Sequence, residues 1–424
     1  MTETSTSPST DPTARPDTSG SEHDIVVFGA TGFVGELVAG YLAEHAPDGA
    51  RIALAGRSQS KLAAVRGRLG ARAADWPLVV ADSQDSASLR AMVESTRVVL
   101  TTVGPYARYG MLLSALAAEC GTHTCDLTGE VLYVRDLIDG VDAVAQRTGA
   151  RLVTACGFDS VPSDLGVLLL HEQAQADQAG TLGDTTLLVT RMRGGLSGGT
   201  IDSMRGQIEA VSADPARKKV VLDPYALSPD RTAEPRLPGQ RDLTTVFQEK
   251  ETKQWVAPFV MAPYNTRIVR RSSALMGHAY GPTFRYREAL AFGTGARGRR
   301  MATAVLLGLG GLMAGLSNGL TAPLLDRLLP APGEGPDEES RRTGRFRMEI
   351  RTRTTLGRRY LATVAAQGDP GYAATSVMLG ESALSLAFDE LPDRAGVLTP
   401  ATAMGDHLVE RLRAAGFTLT VEPT

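Results

Sequence analysis

Cysteine is scarce in this chain, with three residues, Cys120, Cys125 and Cys156, among 424. So few cannot build a disulfide framework, and the scarcity fits a reducing compartment, here the cytoplasm. Histidine is scarce too, at six residues, and no pair has a metal-ligand spacing. Cys120, His123 and Cys125 lie close together, but a zinc site would need a second ligand cluster. They are read as buried strand and helix-end residues, and no metal is expected. Basic excess is missing: the net charge is -3 at pH 7, so nothing argues for nucleic acid. Residues 1–21 hold almost nothing apolar, with no basic start and no hydrophobic run. That excludes a secretory signal and predicts a disordered tail. The remainder is ordinary globular composition, 43% hydrophobic and 21% charged. Its length allows two domains.

The most informative stretch is Ile25-Val-Val-Phe-Gly-Ala-Thr-Gly-Phe-Val-Gly35. A short apolar run meets the glycine turn Gly29-x-x-Gly32-x-x-Gly35. Apolar residues then recur at helical spacing through Leu37, Val38, Tyr41 and Leu42. Gly29 permits a tight turn. Gly32 lets backbone N–H groups approach a diphosphate, and Gly35 lets the helix pack on the strand. Thr31, Phe33 and Val34 complete the cradle. The diphosphate is favoured at the helix N-terminus, where N–H groups are unpaired.

Strands and helices alternate onward. Strands are predicted at Arg51–Ala55, Leu78–Ala81, Val98–Val103, Thr122–Asp126 and Leu152–Cys156. Helices are predicted at Lys61–Leu69, Ser88–Glu94, Met111–Glu119 and Val131–Gln146. This order implies a Rossmann-type, doubly wound parallel α/β sheet over residues 22–170. The alternation fades after about residue 180, as expected of an inserted α+β substrate domain over residues 171–367. Within it, Phe346, Met348, Ile350 and Thr352 alternate with charged residues. Leu356-Gly357 then reads as a turn before a return strand at Tyr360–Ala366. An antiparallel hairpin with one buried face is predicted. Residues 368–424 are read as helices returning to the first domain. Residues 301–325 carry no charge. They are long enough to span a bilayer, but their glycines argue against it. A buried or substrate-lining helical pair and a peripheral lipid contact are the alternatives.

Ligands of open parallel sheets bind beyond the strand C-termini. The second strand ends Ala55-Gly-Arg-Ser58, with Arg57 where an NAD enzyme usually carries an acid, and Lys61 one turn on. A guanidinium suits a 2′-phosphate, so NADP is the expected cofactor, with Ser58 beside it. Asp82, after the third strand, is placed at the adenine. Val103, Gly104 and Pro105, and Gly129 after the fifth strand, are placed around the nicotinamide. Tyr106 and Tyr109 are the candidate proton donors. Ser163 and Asp164 are read as caps of the helix after Pro162. Short-chain dehydrogenases share such a glycine turn but relay protons through Tyr-x-x-x-Lys, and no tyrosine here has lysine four residues later.

Together these phrases resemble the saccharopine dehydrogenase-like family. They are Gly-Ala-Thr-Gly-Phe-Val-Gly at 29–35, Ala-Gly-Arg-Ser at 55–58, Val-Gly-Pro-Tyr at 103–106, Asp-Leu-Thr-Gly-Glu at 126–130 and Gly-Phe-Asp-Ser-Val-Pro-Ser-Asp at 157–164. Ser197–Thr200, Asp223–Asp230 and Gly368–Tyr372 look like its trans-acting enoyl reductase branch. The resemblance implies NADP and reduction of a carbon–carbon double bond in a polyketide or lipid acyl intermediate. It also implies a separate synthase, whose acyl carrier domain is a possible partner. It transfers no catalytic residue. Two other readings stay open: C–N oxidoreduction of an amino acid, and a non-catalytic nucleotide-binding protein at a lipid surface. For the last, the basic hairpin face Arg345–Arg353 and the apolar segment are the features that would meet the inner face of a membrane.

Overall fold

The computed structural model describes residues 20–194, 197–317, 321 and 335–424. Its strands are β1 (His23–Phe28), β2 (Ile52–Gly56), β3 (Leu78–Val80), β4 (Thr96–Thr101), β5 (His123–Asp126), β6 (Arg151–Val153), β7 (Leu182–Arg193), β8 (Phe247–Gln248), β9 (Trp255–Pro258), β10 (Arg285–Ala291), β11 (Arg345–Thr354), β12 (Arg359–Gln367), β13 (Gly396–Leu398) and β14 (Thr418–Pro423). They form two seven-stranded sheets, ordered β13-β6-β5-β4-β1-β2-β3 and β14-β12-β11-β7-β10-β9-β8. The first is parallel at every pairing. Its central strands β1 and β2 are buried along their whole length, because helices cover both faces. That burial explains why their sequences read as continuous apolar runs.

The second sheet is mixed, with β7 and β10 parallel and the rest antiparallel. The expected hairpin of β11 and β12 is present, with Met348 opposite Val364 and Ile350 opposite Ala362. Phe346, Met348, Ile350 and Thr352 are buried, and Gly357 turns the chain at φ +85°. The C-terminal part is not helical alone. It adds β13 to the first sheet and β14 to the second, while helix Ala373–Phe388 packs on β1, β4, β5 and helix Phe33–His45. The predicted helix over 131–146 is two helices, Val131–Gly140 and Asp142–Thr148, broken at Val141, where φ is -128°. Cys125 and Cys156 are buried, Cys120 is half-buried, and all three are free thiols.

Helices Gly198–Ala213, Pro215–Leu222 and Ala262–Leu275 were not expected. The last hides its helical period because its buried side is cationic. Arg267, Arg270 and Arg271 are 1%, 4% and 0% exposed. Arg267 binds both carboxylate oxygens of Asp242, at 2.7 and 2.9 Å. Arg270 donates to Gln240, Pro224 and Tyr286, and Arg271 to the carbonyls of Leu227 and Val397. Arg135 of helix Val131–Gly140 reaches the Ala226 and Ser228 carbonyls. Burial pulls Arg270 and Arg271 down to about 10, so both stay charged at neutral pH. These guanidiniums satisfy backbone carbonyls of the irregular segment 223–246, which has few partners of its own.

Removing one member of a buried ion pair strands the other. Arg267→Ala is therefore expected to lower unfolding stability by about 2–4 kcal/mol, read as a shift of the urea midpoint. An unshifted midpoint would mean that the segment is held without Arg267.

Candidate active site

Strand order in the first sheet reverses between β1 and β4, where an open sheet presents its crevice. Gly29 has φ +92°, a backbone region glycine enters without steric cost. A Cβ there would lie 2.7 Å from Thr102 Oγ1, and one on Gly35 would strike the Gly29 carbonyl. Helix Phe33–His45 begins at Gly32 with no side-chain cap, which leaves its first N–H groups for an anion. At the end of β2, Arg57 and Lys61 are exposed and have no ion-pair partner among the described residues. Ser58 caps helix Gln59–Arg68 by accepting from Lys61 N. Asp82 follows β3 and accepts from Gln84 N at 3.0 Å. Bare glycines and two unpaired cations fit a dinucleotide bearing a 2′-phosphate.

Beyond this cradle lies a cavity of about 460 Å³. Gly32, Phe33, Val34 and Gly35, with Gly104, Pro105, Tyr106 and Gly129, form its inner end. Thr31, Arg57, Ser58, Lys61, Asp82, Val103 and Tyr109 do not line it, nor does Gly29. Its outer walls are mostly apolar, with Met204 and Ile208, Leu243, Phe259 and Met261, and Leu309 and Met313, interrupted by Asp202, Gln207 and Asp242. No Lys, Arg or His lines it among the described residues. The last two wall residues come from helix Ala296–Ser317, whose other side exposes Met301 and Leu307 at 49% and 69%. Thus only Leu309 and Met313 of the described part of the uncharged 301–325 segment line the cavity; residues 318–320 and 322–325 lie outside the described residues.

Tyr106 does not present its phenol to the cavity. The hydroxyl donates to the Thr101 carbonyl and accepts from Leu127 N, each at 3.1 Å. Burial raises its pKa well above the ordinary value. Its ring walls the site while its hydroxyl ties the ends of β4 and β5. That geometry weighs against the expected proton donor at position 106. Tyr109 is partly exposed and stacks under Arg108. Ser163 and Asp164 also differ from expectation, for neither caps its helix. Asp164 accepts from Ser272 Oγ and Ala401 N, and Ser163 from Asn265 Nδ2. Both serve contacts between distant segments that sequence spacing does not reveal.

Two groups that residue patterns left unassigned organise the site. Glu130 is 4% exposed and accepts from Tyr106 N at 2.9 Å, Ala107 N at 2.8 Å and Ser203 Oγ at 2.7 Å. Asp159 lines the cavity with no hydrogen-bond partner among the described residues. Burial pushes its carboxyl up to about 7. Both stood within recognisable strand-end phrases, but their burial comes from tertiary packing.

Residues 25–155 match the model of the saccharopine dehydrogenase NADP-binding domain. The chain is 50% identical over 408 residues to a Mycobacterium tuberculosis protein named, provisionally, a trans-acting enoyl reductase, covering 94% of this chain and 97% of that one. It is 45% identical over 410 residues to the trans-acting enoyl reductase of Mycobacterium ulcerans, with the same coverage. The chain belongs to the trans-acting enoyl reductase family. Membership makes its first domain an NADP-binding one, in agreement with Arg57. Saccharopine dehydrogenase (L-Glu forming) of Saccharomyces cerevisiae has the same fold, with TM-score 0.55 and 12% identity over 95% of this chain and 100% of that one.

A charge-assisted bond to phosphate contributes about 1.5–3 kcal/mol. Arg57→Ala should weaken NADPH binding roughly tenfold or more and leave NADH nearly unchanged, by fluorescence titration. Equal loss for both cofactors would give Arg57 a role in folding alone. Tyr106→Phe should lower stability by about 1–3 kcal/mol, since it orphans the Leu127 N–H. Its turnover should fall far less than the roughly hundredfold expected of a lost proton donor. A hundredfold fall with intact stability would restore Tyr106 to catalysis.

Proposed function

We propose that this chain is an NADPH-dependent enoyl reductase acting on an acyl thioester from a separate synthase, carried on a carrier domain or coenzyme A. The cavity lining carries the reading. It is an apolar passage that continues from the cofactor cradle and lacks a cation among the described residues. An amino-acid substrate would need a cation to hold its α-carboxylate, which weighs against C–N oxidoreduction. Gly29, Gly32 and Gly35 would hold the diphosphate, Arg57 and Lys61 the 2′-phosphate, and Gly104, Pro105 and Gly129 the nicotinamide. When bound, NADPH supplies the hydride. The chain's own part is to position the acyl group, exclude water from its apolar length and deliver a proton.

A peripheral lipid contact has its own support. No helix among the described residues is long and apolar enough to cross a membrane. Yet helix Ala296–Ser317 exposes Met301 and Leu307 just after the exposed Arg297, Arg299 and Arg300. Apolar and basic groups together favour an anionic surface. Such contact would sit at the inner face of the cell membrane of an otherwise cytoplasmic enzyme. Flotation with anionic liposomes should recover the protein at low salt and lose it at high salt; absence from the floated fraction at both would remove this contact.

The enzymatic reading is tested by NADPH oxidation on enoyl thioesters of increasing chain length, and on paired amino and 2-oxo acids. Each buried methylene contributes about 0.8 kcal/mol. KM should therefore fall roughly three- to fourfold per methylene until the cavity is full, with no turnover of the amino-acid pair. Oxidation by the amino-acid pair alone would overturn the proposal. NADPH binding without turnover on any substrate would favour the non-catalytic reading.

A further inference from the structure

We propose that Asp159 is the acid that protonates the substrate's α-carbon, an assignment that rests on the enoyl reductase reading. Among the described residues, the ionisable side chains lining the cavity are Tyr106, Asp159, Asp202, Asp242, Tyr264 and Tyr372. Three are already committed, and a fourth, Tyr264, is out of reach. The Tyr106 hydroxyl bridges two backbone groups. Asp242 is held by Arg267 through both oxygens. The Tyr372 hydroxyl accepts from Gly198 N at 3.4 Å. The Tyr264 hydroxyl oxygen is itself buried, out of reach of a ligand.

Asp159 is marked by three features, of which it shares only the first with Asp202. Its carboxylate has no partner among the described residues, so its proton is free to leave. Its oxygen Oδ2 lies 3.3 Å from where a Cβ on Gly129 would sit. The missing side chain at 129 thus opens the floor between the carboxylate and the inner end of the cavity. Its neighbours are pinned: Phe158 N donates to Thr375 Oγ1 at 3.0 Å, and Ser160 Oγ bonds Asn265 Oδ1 at 3.2 Å. A side chain between two fixed residues is held ready for transfer. Asp202, on helix Gly198–Ala213, is the remaining carboxylate.

The step balances. The β-carbon gains a hydride from NADPH, which leaves as NADP. The π pair of the double bond moves toward the carbonyl, giving an enolate. The α-carbon then forms a C–H bond with the Asp159 proton as the O–H bond breaks. The resulting carboxylate regains a proton from water before the next turnover. Because burial raises this carboxyl to about 7, the acid form persists near neutrality. The acid is present below that pH and lost above it, so turnover should be flat on the acid side. It should then fall tenfold per pH unit on the alkaline side.

The test measures NADPH affinity, turnover and its pH profile for wild type, Asp159→Asn and Asp159→Glu. The asparagine variant should bind NADPH within twofold of wild type, lose turnover by roughly 10²–10⁴, and lose the alkaline limb near pH 7. The glutamate variant, which keeps an acid, should recover at least a tenth of wild-type turnover. Near-normal turnover in Asp159→Asn overturns the assignment, as does a comparable loss confined to Asp202→Asn. If Asp159→Asn fails to bind NADPH, the wild-type profile decides, and absence of a limb near pH 7 overturns the assignment. Failure of the wild type on every enoyl thioester would instead remove the underlying reading.

Discussion

The carboxylate of Glu130 joins the parts on which this site depends. It starts helix Val131–Gly140, directly after the turn at Gly129. One oxygen takes the Tyr106 N–H and the Ser203 hydroxyl, and the other takes the Ala107 N–H. The loop after β4 is thereby fixed against the end of β5, and helix Gly198–Ala213 is drawn onto both. Gln207 of that helix adds a second tie by accepting from Val131 N. The inner end and one outer wall of the cavity are therefore built around one buried carboxylate, held by dipoles and by no cation among the described residues. Charge-assisted bonds of this kind are stronger than neutral ones and costly to break when buried.

The same economy of cations recurs around the cavity. Buried guanidiniums are present in number, but they face the irregular segment 223–246 and bind its carbonyls. Buried acids elsewhere have partners. Asp126 accepts from Thr128 N and Ala155 N, and Glu288 from Tyr286 and Asn265. Burial raises each to about 7, yet their oxygens are held by structural donors. Asp159 shares their raised carboxyl and lacks their partners. An acid left unpartnered in a cavity is costly to folding, and such groups concentrate at functional sites.

Apart from β13, the first sheet was legible because its strands, turns and helices carry their own local signals. The glycine turn, Arg57 and the hairpin of β11 and β12 were readable for the same reason. Helix Ala262–Leu275 was hidden, since burying Arg267, Arg270 and Arg271 inverts the pattern that marks a helix face. Strands β13 and β14 were missed because each is short and gains its partner from far along the chain. Tyr106 lines the cavity, but the direction of its hydroxyl depends on Thr101 and Leu127. Asp159 stood in a quoted phrase, Gly157-Phe-Asp-Ser160, with nothing local to separate it from Ser163 and Asp164. What distinguishes it is what surrounds it in space.

The most direct measurement is the fate of the transferred hydrogen. An enoyl thioester is reduced in ordinary water with NADPH deuterated at the transferable position, and the product is read by mass spectrometry and NMR. A hydride-transferring enoyl reductase with a solvent-replenished acid predicts deuterium at the β-carbon and ordinary hydrogen at the α-carbon. Deuterium absent from the β-carbon, or found at the α-carbon instead, would contradict it.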